Sequence, residues 1–339
     1  MSLAALNSPI SWSDINIELG RSPTSQLNLD DAELKTVAQM PAGESTLDLT
    51  KLASKSRIRI VVSTNTSCMN LMSQCISLGY SPGKSYITLN VASGVILGSN
   101  TSGTEALLIN NFSTGDKLVI TNNGYIVGKG GDGAQGSTYR SWMSGLNGQT
   151  GGNAIVFGNY FGFANSAVSI INNGTISGGG GGGAAGYGGY TTYTFVGTYY
   201  ASGGNGGGGA GYPAGNGIST SAITLSGGNY TLPSSASGTL TLGGSGGERV
   251  LGLASSSAAA NGNQGGNLGQ VGYGYSTYPY NAFPGSPGQY GQLVGVGGNP
   301  GWGILWPVPE AFSNTSITNT GTIKGAGTFV GYPIVYISN

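Results

Sequence analysis

The chain has 339 residues, of which 66 are glycine and none is histidine, and 12 basic side chains are balanced by 12 acidic ones. Zero net charge removes the electrostatic basis for a nucleic-acid partner or an anionic membrane surface, and no apolar run approaches the ~20 residues of a membrane helix. With 7% charged and 38% hydrophobic residues, the composition fits neither a disordered polyelectrolyte nor an ordinary globular enzyme.

Residues 1–60 hold 13 of the 24 charged side chains, which implies two parts with different tasks. The start, MSLAALNSPISWSDINIELG, lacks a basic segment followed by an apolar run, so no secretory signal is expected. SWSDINIELG predicts a helical turn capped by Ser11 or Ser13 and closed by Gly20. LNLDDAELKTVAQM predicts an amphipathic helix with Asn28 or Asp30 near its cap, stopped by Pro41 and Gly43. STLDLTKLASK is a third short element. Helices this short do not stand alone, so they pack on something else, and a partner subunit is a candidate.

From Arg57 the pattern changes. RIRIVVS predicts a strand, NTSCMNLMSQCISLG a helix stopped at Gly79, and SYITLNVASGVILG one or two strands, giving a small mixed α/β unit. If Cys68 and Cys75 share that helix, their Cα atoms lie about 10 Å apart, too far for a disulfide. They are expected to be reduced and buried, with no metal role, because no histidine or CxxC accompanies them.

A repeat follows. LVITNNGYIVGKG (118–130), AVSIINNGTISGGG (167–180) and TSITNTGTIKGAG (315–327) share the core I-x-N-x-G-x-I-x-G. It is carried on Ile120, Asn122, Gly124, Ile126 and Gly128, and then on Ile170, Asn172, Gly174, Ile176 and Gly178. The last copy uses Ile317, Asn319, Gly321, Ile323 and Gly325. Each copy predicts a hairpin or sharp strand reversal in which glycine supplies positive φ. The copies lie about 50 and then about 147 residues apart, which argues against a solenoid of fixed period and for strands of one core separated by large insertions.

The insertions are glycine-rich: 128–136, 148–154, 178–189, 203–217, 243–247, 260–272 and 285–303. Aromatic stretches separate them, STYRSWMSGLN (137–147), YTTYTFVGTYYA (190–201) and YGYSTYPYNAFP (273–284). Gly/Ser composition by itself favours disordered linkers. Against that, the runs begin directly after strand signals, they recur, and they alternate with aromatic segments that would be a liability on a floppy tether. Polyglycine-II helices, with three residues per turn and a rise of about 3.1 Å, can pack side by side when no Cβ intervenes and bond through main-chain groups. Ordering each glycine costs about 1–2 kcal/mol, so one such helix does not form alone. Several together, at about 0.5–1.5 kcal/mol net per hydrogen bond, can. The fold class expected is mainly β and irregular: small N-terminal α and α/β elements, then a glycine-rich polyglycine-II sandwich with short β-strands.

The runs GKGGDG, QTGGNAI and INNGTISGGGGGG resemble the T-even-type phage adhesins that cap the long tail fibre, over roughly residues 57–339. The resemblance implies polyglycine-II rods stacked in a sandwich, with receptor-facing loops at 137–147, 190–201 and 273–284, and less firmly at 218–242. The N-terminus departs from those adhesins. Its pattern I-S-x-S-D-I-N-x-E-L-G, carried by Ile10 through Gly20, resembles a short module at the start of other phage virion and tail proteins. A division into a virion attachment module (1–55), a mixed scaffold (57–127) and a glycine-rich receptor-binding domain (128–339) follows. Trp12, Ile15, Ile17 and Leu19 are the attachment candidates.

Chemistry beyond residue 60 is sparse. The carboxylates there are Glu105, Asp116, Asp132, Glu248 and Glu310, in no clustered motif of the kind a glycosidase pair needs. There is no histidine for a Ser-His-Asp arrangement and no GxxxxGK[ST] phosphate loop. No enzyme activity, metal or cofactor is expected. Binding has more support, since 14 of the 19 tyrosines fall between residues 139 and 290, among Ser, Gly and Asn, the composition of antibody-like contact loops. The contact candidates are Tyr139, Arg140, Trp142 and Met143; Tyr190, Tyr193, Phe195, Tyr199 and Tyr200; and Tyr273, Tyr275, Tyr278, Tyr280 and Phe283. Arg140 suits an acidic group on the partner. Any one tyrosine could instead cover a face of the glycine lattice, and Trp302 and Trp306 suit packing better than contact. The reading is a tail or tail-fibre tip adhesin, made in the host cytoplasm and docked on a phage tail or fibre protein. Its target is an outer-membrane protein or surface glycan of the host. A rigid structural virion piece, a polysaccharide depolymerase and an ice-binding protein are the alternatives, the last expected to show a stricter three-residue repeat.

Overall fold

The computed structural model describes residues 11–26, 28, 30–38, 55–136, 147–158, 167–186, 188–193, 197–225, 228–251, 259–274, 295–306, 315–326 and 337–338. Two short helices come first, α1 (Trp12–Glu18) and α2 (Ala32–Val37). Ser11 caps α1 in a reciprocal box with Asp14, and Gly20 follows it at φ +71°. The cap of α2 is Asp31, whose Oδ1 accepts from Glu33 N at 2.8 Å. Asn28 instead makes a turn one step upstream by accepting from Asp30 N at 3.0 Å. Neither helix waits for a partner. Ile15, Leu19, Leu34, Val37 and Ala38 bury one another against Tyr86. The dense local charge clamps this module down: Arg21 pairs with Asp31 (2.6 Å) and Glu33 (3.0 Å), and Arg57 bonds Glu33, Leu19 O and, through its N–H, Glu18. The expected element over 45–55 lies almost wholly outside the described residues.

The body of the protein is a coil of strands in which each turn contributes one strand to each of three parallel sheets. The first turn supplies β1 (Ser56–Val62), β2 (Thr66–Ser67) and β3 (Met69–Asn70), with helix α3 (Leu71–Ser77) directly after it. The second supplies β4 (Ser85–Val91), β5 (Ile96–Gly98) and β6 (Glu105–Ile109), and the third β7 (Lys117–Asn122), β8 (Tyr125–Val127) and β9 (Asn153–Phe157). In the fourth, β10 (Val168–Asn172) and β11 (Thr175–Ser177) are followed by a long insertion. It carries the antiparallel hairpins β12 (Gly189–Tyr193) with β13 (Gly197–Ala201) and β14 (Ser221–Leu225) with β15 (Gly228–Leu232). Only then does the third strand arrive, β16 (Ile304–Leu305). β17 (Thr315–Asn319), β18 (Thr322–Lys324) and β19 (Ile337–Ser338) finish the coil. The sheets are β1-β4-β7-β10-β17-β19, β18-β11-β8-β5-β2 and β16-β9-β6-β3. Pairing does not stop at residue 127, since β7 pairs with β10 and β6 with β9.

Period-two patterning builds this core. In β4 and β7 every second side chain points inward, and Ile58, Ile87, Leu89, Leu118, Ile120, Val168 and Ile170 are almost fully buried, each such residue worth roughly 1.5–3 kcal/mol. Phe157 and Trp306 stack at 5.0 Å, so Trp306 is a packing residue.

Several expectations are corrected here. The Asn-Gly bends are not hairpins: the strands on either side of each bend lie in different sheets and pair, in parallel, with their counterparts one turn away. Gly124, Gly174 and Gly321 are also absent from the positive-φ glycines. Glycine is needed because the corners stack, a Cβ on Gly174 lying 2.1 Å from Gly124 O and one on Gly321 2.1 Å from Gly174 O. The uneven spacing hid a solenoid, because the extra length of the third and fourth turns leaves and re-enters between the second and third strands. Cys68, finally, lies outside α3, at φ 52°, and is half-buried; Cys75 is buried within the helix, and both are free.

The insertions form a block held by main-chain hydrogen bonds. In segment 178–186, Gly179 and Gly182 donate to Gly152 O and Gln149 O. Gly180, Gly183 and Gly186 donate to Ala210 O, Gly207 O and Gly204 O. Gly181 and Ala184 donate to Gln270 O and Tyr273 O. The same segment accepts from Gly131 and Ala134, from Gly266 and Asn263, and from Gly298 and Gly301. Six neighbours thus surround it, visited in rotation every three residues. Segment 203–211 is enclosed likewise, donating to 260–266, 131–134 and 236–239 and accepting from 180–186, 244–247 and Gly215. The bonding resolves into three rows: 148–152, 128–136 and 213–217; then 296–301, 178–186, 203–211 and 236–239; then 270–273, 260–267 and 243–247. On the outer rows exposure recurs every third residue, as at Pro213, Asn216 and Ser219 or at Leu242, Ser245 and Glu248. The two enclosed segments are buried throughout.

Candidate functional site

The block sits on the coil through a small apolar seam. Val127, Ile96 and Tyr125 from the second sheet meet Ala210, Tyr212, Leu240 and Leu268 from the turns that reverse the glycine segments. That seam identifies the near end of the block. The hairpins β12–β13 and β14–β15, each lying between an outgoing and a returning glycine segment, therefore stand at the far end.

The far end is tied together where it is described. Ser202 and Val250 bridge in both directions, at 2.9 and 3.0 Å. Asn205, buried in an otherwise glycine and alanine segment, accepts from Gly136 N and donates to Pro233 O, both at 2.8 Å. Ile223, Leu225 and Leu232 pack with Tyr230 and Val250, so the β14–β15 hairpin has its own core.

The predicted contact residues distribute unevenly over this frame. Tyr190 pairs in register with Tyr200, Thr191 with Tyr199 and Tyr193 with Gly197 on the β12–β13 hairpin. Tyr273 is 56% exposed, beside exposed Val271 and near exposed Val296. Tyr139, Arg140, Trp142, Met143, Phe195, Tyr275, Tyr278, Tyr280 and Phe283 lie outside the described residues. The range 218–242 spans both ends: its hairpin is far, whereas Leu240 belongs to the near seam. Val250, bridged to Ser202, also stands at the far end, in a stretch of sequence that carries no aromatic residue.

At the opposite end of the sequence, Trp12 (52%) and Ile17 (39%) are exposed, while Ile15 and Leu19 are buried in the module's own core. The carboxylates are dispersed in role. Asp116 is buried, accepting from Ser85 N (3.0 Å), Ser113 N (2.9 Å) and the Tyr80 hydroxyl. Asp132 holds Lys129 Nζ (2.9 Å) and Asn216 N (2.8 Å). Burial, with the neighbouring Asp116 carboxylate adding to it, pushes Tyr80 and Cys75 up to about 12. Among the described residues no group of three or more His, Cys, Asp and Glu could hold a metal, and no helix is long and apolar enough to cross a membrane.

The model of one family, phage tail fibre adhesin Gp38, matches residues 57–328. The chain belongs to that family. This Gp38-family adhesin also shares its fold with a chain in the crystal structure of the gp37-gp38 adhesin tip complex of the bacteriophage S16 long tail fiber. The TM-score is 0.53 at 17% identity, over 95% of this chain and 99% of that one. No curated protein matches it.

Proposed function

We propose that this Gp38-family adhesin sits at the tip of a phage tail or tail fibre and binds a host surface receptor through loops presented on a polyglycine-II sandwich. The six-neighbour bonding of segment 178–186 carries the reading. A donor that rotates among three neighbours every three residues is what a three-residue helix in a close-packed lattice requires. Exposed side chains at every third outer position agree with it. Such a lattice is stiff because its main-chain groups are paired, and a stiff platform limits the ordering cost of contact by its loops.

Recognition is non-covalent in this reading, by tyrosine-rich loops at 137–147, 190–201 and 273–284. The target is an outer-membrane protein or surface glycan, and no cofactor takes part. The phage S16 relative was solved with gp37, and by analogy we infer that a fibre protein docks this chain through its N-terminal module. Trp12 and Ile17 would supply contact, and Ile15 and Leu19 would hold the module in shape.

Exchanging segments 190–201 and 273–284 for those of a relative with another host should redirect adsorption to that host without lowering the unfolding midpoint. Unchanged adsorption by a folded exchange protein would reject the contact assignment.

A further inference from the structure

Asn-Gly steps occur at 123–124, 147–148, 173–174, 205–206, 216–217 and 261–262. Such steps are chemically labile, because the glycine after the asparagine leaves its backbone nitrogen unhindered. That nitrogen loses its proton and attacks the asparagine Cγ, the carboxamide departs as ammonia, and a five-membered succinimide forms. Water then opens the ring at either carbonyl, giving aspartate or isoaspartate. The reaction needs a carboxamide free to turn and a glycine N–H free to leave its acceptor.

The fold withholds one or both conditions at all of these steps except one. Asn123 donates to Asn90 (3.2 Å) and accepts from Asn173 (2.9 Å), and Asn173 also accepts from Thr320 Oγ1 (2.9 Å). Asn205 is bonded at both ends, while Gly206 N donates to Ala134 O at 2.7 Å. Asn147 accepts from Val296 N (2.8 Å) and Asn261 from Arg249 N (3.1 Å). Their following glycines donate to Val296 O (3.0 Å) and Gly247 O (2.8 Å). Asn216 differs. It is exposed, its carboxamide makes no hydrogen bond among the described residues, and Gly217 N donates to the exposed Ser237 hydroxyl (3.0 Å) and to no lattice carbonyl.

We propose that Asn216 is the site at which the folded protein undergoes spontaneous deamidation and isomerisation. The product matters locally. A carboxylate there stands beside Asp132, which accepts from Asn216 N, and an isoaspartate lengthens the main chain whose carbonyl receives Gly133 N at 2.9 Å. The edge of the outer row loosens from its neighbour.

The full chain, incubated at pH 8.5 and 37 °C in ¹⁸O-labelled water and mapped by peptide mass spectrometry, should take up label first at residue 216. The other steps should lag by at least about tenfold, since they must wait for local opening. In concentrated urea the steps should react at comparable rates, and Asn216→Gln should remove the early product from the folded protein. A first product at any other step, or continued slowness of the others in urea, would overturn the proposal.

Discussion

Asn122 Nδ2 donates to Asn172 Oδ1 at 2.7 Å, and Asn172 Nδ2 donates to Asn319 Oδ1 at 2.7 Å. Residues 50 and 147 positions apart are thereby stacked at one corner of three successive turns, at the inward position that Val62 and Val91 fill in the first two. Asn172→Ala takes away one of the two acceptors of the Asn122 amide, which keeps Thr175 O, and the donor to Asn319 Oδ1, at a cost of about 2–3 kcal/mol. A second ladder, Asn90, Asn123 and Asn173, runs beside it, with Asn173 exposed to water. Asn173→Ala should cost no more than about 1 kcal/mol. Urea midpoints of the two variants check this, and equal losses would show that burial does not decide the ladder's worth.

A Cβ on Gly181 would lie 1.7 Å from Gly298 O, and one on Gly206 2.1 Å from Gly183 O. No rotamer relieves such a clash, because both atoms belong to main chain. Gly181→Ala should destabilise by more than about 3 kcal/mol or prevent folding, while Gln135→Ala, at an exposed outer position, should stay within about 0.5 kcal/mol. Amide exchange gives the complementary readout: 178–186 and 203–211 should be the slowest of the glycine segments. Exchange there as fast as in a free peptide would remove the polyglycine-II reading altogether.

Stability should fall in alkali, and the sign follows from the two raised groups. Tyr80 moves from an ordinary value of 10.0 to about 12, and Cys75 from 9.0 to about 12. The unfolded chain loses these protons first, so their stabilising effect is whole below pH 9 and fades as pH rises toward 12. Tyr80→Phe should flatten part of that decline. Phenolate absorbance followed against unfolding at pH 9–12 checks it, and an unchanged profile in the variant would assign the loss elsewhere.

The N-terminal module separates two kinds of apolar residue. Trp12→Ala should weaken capture by the cognate fibre protein by about 30-fold, the scale of an aromatic contact worth about 2 kcal/mol, without altering the unfolding midpoint. Ile15→Ala should instead lower the module's own stability, since Ile15 is only 2% exposed. Equal capture by wild type and Trp12→Ala would move the dock away from α1.

Much of this protein is written locally. The short helices and their caps, the alternating strands and the copies of I-x-N-x-G-x-I-x-G are all legible within a dozen residues, because capping and period-two burial act between near neighbours. The lattice is partly legible too: Lys129, Asp132 and Gln135, the long side chains of GKGGDGAQG, fall three apart. What the tertiary structure alone decided is the direction of pairing. An Asn-Gly bend suits a hairpin and a stacked corner equally well, and the choice depends on a partner strand 50 or 147 residues away. The same holds for the far end: Val250 reaches Ser202 only because Gly244 and Gly247 bond Gly208 and Asn205 on the way out. Main-chain hydrogen bonds carry no side-chain signature, so a fold assembled from them leaves its long-range order unreadable until the chain has closed on itself.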